Sequence, residues 1–282
     1  MATGKLGKGK TVSVDGINTH YFEAGERGDA PSVLLLHSAE FGGAAEISWE
    51  HNLPALAEHF HVLAPDHLGF GRTDKVFDFC GQFNKRVWHI RRFLEVMGVA
   101  EVYVVGSSMS GGLSLTVAAR DEPDWPIRKV VTCSGGGFAP ANEARDVLNS
   151  YDGSLDHMRR IVEVMFIDPS WARDETYLER RQELATLPGA WEATAAARFK
   201  APFRGKGGPS EREALDYTKI HVPCLVMAGA KDPLRLPGYA PELAAEIPGA
   251  KLHVFENAAH MPNIECAAEF NDVLIKFLKE DP

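Results

Sequence analysis

Short apolar runs alternate with longer amphipathic stretches along most of the chain. Two early runs flank the Asp15-Gly16 turn and predict a pair of strands. The later runs are continuously apolar, which is typical of strands buried on both faces of a parallel sheet. The predicted strands are Thr11–Val14, Asn18–Glu23, Val33–His37, His61–Ala64, Val102–Gly106, Lys129–Cys133, Pro223–Gly229 and Lys251–Phe255.

Helical patterns lie between these strands and predict an α/β fold with right-handed crossovers. Gly98 follows the second helix at a position typical of a C-cap. The predicted helices outside residues 138–209 are Trp49–His59, Gln82–Met97, Ser108–Arg120, Tyr239–Ile247 and Ile264–Lys279.

Between Phe138 and Pro209 the strand signals stop, and polar helical stretches rich in Arg and Glu take their place. An insertion in an α/β sheet usually forms a lid over the carboxyl ends of the strands. We therefore expect a core of residues 1–137 and 210–282 and a helical lid of residues 138–209. The predicted lid helices are Asn142–Asn149, Leu155–Phe166, Asp174–Leu187 and Gly189–Phe199.

The composition is that of an ordinary globular protein. The chain has 282 residues, is 45% hydrophobic and carries a net charge of −9. These values exclude a mainly disordered or fibrous chain, and the absence of a basic face argues against nucleic acid as a partner. No apolar run is long enough for a membrane span. The four cysteines are widely spaced, which indicates a reduced, cytoplasmic protein.

The segment from Val102 to Gly112 runs from a buried strand through small residues into a helix. Such a turn exposes its central side chain, Ser108, in a strained conformation. The backbone N–H of Met109 would then lie at a helix N-terminus, where it can stabilise an oxyanion. Ser110 stands where the G-x-S-x-G motif has its last glycine. Ser110 as the nucleophile is rejected because Gly106 ends the strand and fixes Ser108 at the turn.

A serine hydroxyl is a poor nucleophile unless a base takes its proton and an acid orients that base. A later buried strand ends in a turn that presents Asp232, and His260 follows the last strand. Taken singly, Asp232 would be a turn cap, His260 a surface histidine and the serine turn a plain connection. Their joint occurrence in the order Ser, acid, His favours a catalytic triad of Ser108, Asp232 and His260.

With these motifs the chain resembles an α/β-hydrolase over nearly its whole length. In this superfamily the strand that ends in Leu36-His37-Ser38-Ala39 carries the second oxyanion donor, which implies that role for Ala39. The run Asp66–Asp74 matches the structural D-x-x-G-x-G-x-S/T loop. Within the superfamily the chain most resembles the meta-cleavage-product hydrolases, which split carbon–carbon bonds in vinylogous diketones formed during aromatic ring degradation. This closer resemblance is carried by Trp49–Asp74 and Tyr177–Glu183.

The resemblance also implies residues that bind the substrate. The family places an arginine for the substrate carboxylate in the lid, which implies this role for Arg180, with Arg181 as the near alternative. The structural alternative is an exposed arginine paired with Glu at helical spacing. The remaining residues expected at the substrate are Ser38, Glu40, Phe41, Ser107 and Met261.

Three of these positions depart from the family pattern. Ser107 replaces an Asn and Met261 a Trp, two residues that help to hold a dienoate acid in those enzymes. Glu40 adds a carboxylate near the expected oxyanion hole, where it would repel a carboxylate substrate unless it is protonated or turned away. A neutral ketone, ester or lactone would then fit the pocket better.

These observations predict a hydrolase without cofactor or metal that acts on a small carbonyl substrate. Carbon–carbon bond hydrolysis is the main expectation. A carboxylesterase or lactonase on the same triad is the first alternative, and a ligand sensor with slow turnover is the second. The expected partner is a small-molecule substrate, with neither nucleic acid nor membrane. The family resemblance also points to a homodimer.

Overall fold

The computed structural model describes residues 6–79, 82–196, 198 and 215–280. Its centre is an eight-stranded sheet of order β1-β2-β4-β3-β5-β6-β7-β8. The pairs β1–β2 and β2–β4 are antiparallel and the others are parallel. The strands are β1 (Lys10–Val14), β2 (Ile17–Ala24), β3 (Ser32–Leu36), β4 (Val62–Pro65), β5 (Val102–Ser107), β6 (Ile127–Cys133), β7 (Cys224–Gly229) and β8 (Lys251–Phe255).

All eight predicted strands are present, so the predicted fold class is confirmed. The central strands β3, β4 and β7 are buried along their whole length, because helices cover both faces of the sheet. One face packs in a cluster that includes Leu34 and Val104, and the other in a cluster that includes Leu35 and Val105. Alternation of side chains along each strand therefore divides its apolar run between two cores.

Helices follow most of the strands. They are α1 (Ala45–Ser48), α2 (Leu53–Ala57), α3 (Gln82–Val96), α4 (Met109–Ala118), α5 (Glu143–Asn149), α6 (Leu155–Met165), α7 (Glu175–Thr186), α8 (Ala190–Ala196), α9 (Tyr239–Glu246), α10 (Pro262–Glu265) and α11 (Ala267–Lys279). Two short 3-10 helices, Trp171–Arg173 and Tyr217–Lys219, complete the described elements. Within the described ranges, no helix is long and apolar enough to cross a membrane.

Two helices that the sequence pattern predicts as continuous are each divided in the structure, so these two predictions are wrong. The predicted helix Trp49–His59 is divided between α1 and α2, with Pro54 in the first turn of α2. Proline has no N–H and cannot continue a preceding helix, but it fits a first turn. The predicted final helix begins earlier, at Pro262, and is interrupted at Cys266, where α10 ends and α11 begins.

Helices α5 to α8 lie between β6 and β7 in the chain. They bury a third apolar cluster, in which lid residues such as Met158 and Leu178 pack with Phe41, Leu234 and Met261 of the core. The inserted helices therefore cover the loops that follow β3, β7 and β8. The domain boundaries at 137/138 and 209/210 stay a prediction, and the second lies outside the described residues.

Candidate active site

The turn between β5 and α4 holds Ser108 in a strained conformation. Its φ is 53° and its ψ is −114°, a region that few residues other than glycine adopt. Packing around the turn is tight, because a Cβ atom on Gly106 would lie 2.4 Å from the carbonyl oxygen of Ser110. A Cβ on Gly111 would lie 2.2 Å from Thr132 Oγ1. Gly111 therefore allows the close approach of α4 to β6.

Ser110 is fully buried. Its hydroxyl donates to the carbonyl oxygen of His37, and its Oγ lies 2.8 Å from His67 Nε2. Because the single hydroxyl proton is used on His37, His67 donates to Ser110 through Nε2–H. Burial holds the pKa of His67 well below its usual value, which keeps the ring neutral. Ser110 thus connects α4 with the loops after β3 and β4, a link that the sequence did not indicate.

The three side chains predicted as a triad form one hydrogen-bonded chain. Ser108 Oγ lies 2.8 Å from His260 Nε2, and His260 Nδ1 lies 2.7 Å from Asp232 Oδ2. An ionised carboxylate can only accept, so Nδ1–H donates to Asp232 and Nε2 of the neutral ring accepts from Ser108. This is the arrangement in which a histidine can take the proton of a serine hydroxyl.

Asp232 is well placed to remain ionised. Burial alone would raise the pKa of its carboxyl, but the hydrogen bonds from His260 and from the backbone N–H of Leu234, together with the charge of Arg235, hold that pKa below its usual value. The Leu234 N–H donates to Oδ1 over 2.9 Å, which leaves Oδ2 for His260. The carboxylate is therefore fixed at both oxygens.

The loop that carries His260 is tied to the lid. The His260 N–H donates to the carbonyl oxygen of Met165 over 3.0 Å. Glu265 accepts from Ala259 N at 2.7 Å and from Ile167 N at 2.6 Å. One backbone hydrogen bond and the Glu265 carboxylate thus hold the end of α6 and the histidine loop together.

The two expected oxyanion residues follow neighbouring strands. Leu36 on β3 pairs with Gly106 on β5, so Ala39 and Met109 both lie just beyond the carboxyl edge of these strands. The carbonyl oxygen of Ala39 accepts from Arg198 Nη2 at 2.8 Å. His37 Nε2 accepts from the His67 N–H at 3.0 Å, and its Nδ1–H donates to the Ser38 carbonyl over 2.6 Å. These hydrogen bonds fix the loop that follows β3.

Glu40 is ionised, buried and turned toward the lid. Its Oε1 lies 2.8 Å from Arg181 Nη2, and the two side chains are almost completely buried. Burial would raise the pKa of Glu40, but the Arg181 charge holds it below its usual value. Arg181 also donates to Tyr177 Oη over 3.1 Å. The expected repulsion of an anionic substrate by Glu40 is therefore offset by a buried ion pair between the oxyanion loop and α7.

The lid arginine expected to bind substrate is engaged elsewhere. Arg180 donates to both oxygens of Glu50, at 3.3 and 3.0 Å, and its side chain is 36% exposed. Its partner lies in the core rather than one helical turn away on α7. The role of Arg180 at the substrate stays a prediction.

The other expected substrate residues are buried in the structure. Phe41 packs at 5.0 Å from Tyr151 and 6.3 Å from Trp191, measured between ring centroids. Met261 is fully buried in the cluster that joins lid and core. Ser38 and Ser107 are also buried; Ser107 is the last residue of β5, and Ser38 lies two residues after β3.

The Asp66 loop is structural, as the resemblance implies. Asp66 Oδ1 accepts from Ala45 N at 2.8 Å, and Oδ2 accepts from Arg72 N at 2.9 Å. His20 Nδ1 donates to the same Oδ2 over 2.8 Å. A Cβ atom on Gly71 would lie 2.1 Å from this oxygen. The loop therefore needs glycine there to close around the carboxylate.

The described residues offer no obvious set of ligands for a metal ion. In the part of the chain that the structure describes, no three His, Cys, Asp or Glu side chains are grouped so that they could hold a metal ion. The expectation of a reaction without metal or cofactor stays a prediction.

The strained serine turn, the hydrogen-bonded triad and the sheet order define a serine hydrolase of the α/β type. The α/β-hydrolase fold family matches residues 31–267. The chain belongs to this family and is an enzyme of the hydrolase class.

Proteins of similar sequence and structure indicate which kind of hydrolase the chain resembles. The 2-hydroxymuconate semialdehyde hydrolase of Pseudomonas sp. strain CF600 is 32% identical over 275 residues, which cover 96% of this chain and 94% of that protein. The 2-hydroxy-6-oxo-2,4-heptadienoate hydrolase of Pseudomonas putida is 28% identical over 273 residues and covers 96% of both chains. A solved variant of the meta-cleavage product hydrolase of Pseudomonas fluorescens IP01, complexed with acetates, superposes with a TM-score of 0.83 at 26% identity, over 95% of this chain and 97% of that one. The predicted resemblance to meta-cleavage-product hydrolases is confirmed.

Proposed function

We propose that the protein hydrolyses a carbon–carbon bond in a 2-hydroxy-6-oxo-2,4-dienoate, a vinylogous diketone formed by ring cleavage of an aromatic compound. The observation that carries this proposal is the hydrogen-bonded chain Ser108–His260–Asp232 at a strained turn. The relatives named above supply the substrate class, since both act on compounds of this type by name. The enzyme needs no cofactor in this scheme.

The reaction begins with a change in the substrate itself. The dienol must first ketonise, which moves its hydroxyl proton to the carbon beside the C6 carbonyl. That carbon can then leave with the bonding electron pair, because the pair is delocalised into the conjugated keto acid. Without this step the leaving group would be an unstabilised carbanion.

Ser108 then attacks the C6 carbonyl while His260 takes its proton. The negative charge on the carbonyl oxygen is stabilised by the backbone N–H groups of Ala39 and Met109. The carbon–carbon bond breaks, the dienol fragment leaves with a proton from His260, and an acyl group remains on Ser108. Water, deprotonated by His260, then releases a carboxylic acid and restores the serine.

The proposal is tested by comparing a 2-hydroxy-6-oxo-2,4-dienoate with a series of p-nitrophenyl esters, followed by absorbance. We expect a kcat of about 1 to 10³ per second on the dienoate and a smaller kcat/KM on the esters. A higher kcat/KM on the esters would identify a carboxylesterase or lactonase. Turnover far below this range on every substrate would identify the ligand sensor.

The identity of the nucleophile is tested separately. A fluorophosphonate should label wild-type protein at Ser108, as read by peptide mass, and Ser108→Ala should lose both the label and most turnover. Labelling at Ser110 would overturn the assignment. Turnover that survives in Ser108→Ala would indicate that His260 activates water for direct attack.

A further inference from the structure

Arg86 is a buried cation that pairs with no acidic side chain among the described residues. It lies on α3 and is 9% exposed. Its Nη2 donates to the neutral amide oxygen of Gln82 at 2.8 Å, and its Nη1 contacts Met109 Sδ at 3.8 Å, a weak acceptor. Its Nε is buried and has no hydrogen-bond partner in the described structure. The guanidinium also lies 5.3 Å from the ring centre of Phe70.

Arg198 has a similar environment on the lid side. Its three nitrogen atoms donate to neutral oxygens: Asn149 Oδ1 at 3.0 Å, Thr194 O at 2.8 Å and Ala39 O at 2.8 Å. Its guanidinium lies 4.9 Å from the ring centre of Phe41. Burial lowers the pKa of both arginines to about 10, and the charge of Arg198 contributes to the effect on Arg86.

The acids near this pair are bound to other cations. Glu40, which attracts Arg198, has its Oε1 on Arg181 Nη2 at 2.8 Å. Asp78, which attracts Arg86, lies 3.0 Å from Lys85 Nζ. Among the described residues, no carboxylate lies within 4.0 Å of either guanidinium. Buried charges in proteins are normally paired, so this region holds positive charge in excess.

The two arginines contact the two residues that are expected to form the oxyanion hole. Arg198 binds the carbonyl of Ala39, and Arg86 contacts the side chain of Met109. These are the two residues whose backbone N–H groups would hold the oxyanion. A ligand group that reached both arginines would therefore lie next to the reacting carbonyl.

We propose that Arg86 and Arg198 form the site that binds the carboxylate of the substrate. The inference rests on the proposed function for the identity of that substrate. It replaces the expectation for the two arginines of α7, since Arg180 and Arg181 are each bound to a carboxylate of the protein itself. Guanidinium groups bind carboxylates through charge-assisted hydrogen bonds, and a carboxylate bound here would offset one of the two positive charges.

Binding is tested first, without catalysis, by thermal unfolding with sodium benzoate as the anionic probe and benzamide as its neutral counterpart. Benzoate should raise the Tm of wild-type protein by about 3 °C or more at saturation, and benzamide should not. The rise should be lost in Arg86→Gln and in Arg198→Gln. Arg91→Gln is the matched control, because Arg91 lies on the same helix and pairs with Glu95 at the surface; it should keep the full rise.

The same variants separate a binding role from a structural one. Replacing an unpaired buried cation with a neutral amide removes a desolvation cost, so Arg86→Gln should keep or exceed the wild-type Tm without benzoate. Arg86→Lys and Arg198→Lys keep the charge and should keep part of the benzoate effect. A benzoate-induced rise that persists in the double variant Arg86→Gln/Arg198→Gln would overturn the proposal.

Steady-state kinetics then test whether the two arginines bind the substrate itself. Each Gln variant should raise KM for the dienoate by about 10- to 100-fold, and its kcat/KM on neutral p-nitrophenyl acetate should fall by a much smaller factor. Equal losses on both substrates would contradict the proposal. If wild-type protein does not cleave the dienoate but the variants lose the benzoate effect, the anion site stands and the proposed reaction fails.

Discussion

Asp232 determines which nitrogen of His260 carries the proton. Asp232→Asn keeps the size of the side chain, but its amide can donate to Nδ1 and so stabilise the wrong tautomer. We expect kcat to fall by about 10³- to 10⁴-fold with little change in KM. Stopped-flow absorbance with the dienoate measures both constants. Asp121→Asn, at an exposed carboxylate that pairs with Lys219, is the control and should leave both unchanged. Near-normal turnover of Asp232→Asn would mean that another acid orients the histidine.

Ser110 illustrates how a departure from a motif can be compensated. Ser110→Ala would leave the His67 Nε2–H and the His37 carbonyl without their shared partner in a buried site. We expect a loss of about 1–3 kcal/mol in the free energy of unfolding, measured in urea. Thr116→Ala removes a hydroxyl that binds a carbonyl within α4 and should cost less than about 0.5 kcal/mol.

A Ser110→Ala variant as stable as wild type would show that the hydroxyl contributes no net stability. Fluorophosphonate labelling at Ser108 should persist in this variant in either case.

The hydrogen-bonded arrangement of Ser108, Asp232 and His260 was predictable from sequence because each follows a strand whose apolar pattern is strong. Ser108 directly follows β5, Asp232 lies three residues after β7, and His260 lies five residues after β8. The partner of Glu40 was not predictable, since this contact joins segments far apart in the chain. Arg181 lies 141 residues after Glu40. A local sequence pattern cannot predict a contact between residues so far apart in the chain.

At the scale of elements, two ion pairs connect helix α7 to the core and differ mainly in burial. Glu40–Arg181 is almost fully buried, whereas Arg180 of the pair Glu50–Arg180 is 36% exposed. Glu40→Gln would leave Arg181 buried with one neutral partner and should lower the free energy of unfolding by about 3–5 kcal/mol. Glu50→Gln should lower it by about 1 kcal/mol or less. Chemical denaturation of both variants measures the contrast.

Equal effects of the two substitutions would contradict this ranking. The double variant Glu40→Gln/Arg181→Met removes both buried charges, and it should recover much of the stability lost in Glu40→Gln. Failure to recover would indicate that the pair contributes specific geometry to the lid as well as charge balance.

Strand positions followed from sequence more closely than helix positions. Continuous apolar runs mark central parallel strands because both faces of such a strand are buried. The divided helices at Trp49–His59 and Ile264–Lys279 kept an amphipathic pattern across their breaks. Pro54 and Pro262 each lie in the first turn of a helix and are the local signals of where α2 and α10 begin.

At the scale of the whole molecule, buried ionisable groups make stability depend on pH. Burial lowers the pKa of His89 to about 4, and its Nε2 lies 2.8 Å from Thr19 Oγ1. The unfolded chain binds a proton near pH 6.5, where the folded chain does not. The contribution of His89 to the free energy of unfolding is therefore complete above about pH 6.5. It is lost as the pH falls toward 4, by roughly 3 kcal/mol in all.

Buried carboxylates extend this loss to lower pH. The pKa of Asp66 is held below its usual value, against the effect of burial, by the hydrogen bonds that it accepts from His20 and from the backbone N–H of Arg72. A lowered carboxyl pKa stabilises the fold above the unfolded value near 4, and this stabilisation disappears as pH falls through the folded value.

We therefore expect the urea midpoint to fall continuously from about pH 7 to pH 3. His89→Gln should flatten the part of the curve between about pH 6.5 and 4, and Asp66→Asn should flatten the part below about pH 4 and lower the midpoint at neutral pH. Equilibrium unfolding at half-unit steps of pH measures these curves. A wild-type midpoint that is independent of pH down to 4 would contradict the neutral state assigned to the buried histidines.

The distance along the chain between nucleophile and base has a consequence for synthesis. His260 lies 152 residues after Ser108, so at about 5–20 residues per second the serine leaves the ribosome roughly 8 to 30 seconds before its base. During that interval the nascent chain carries a hydroxyl that nothing deprotonates. Chains that are released early, or that lose the segment after β7 to a protease, would keep the serine and yet be inert. Completion of the last strand and its loop is thus the event that switches on the chemistry.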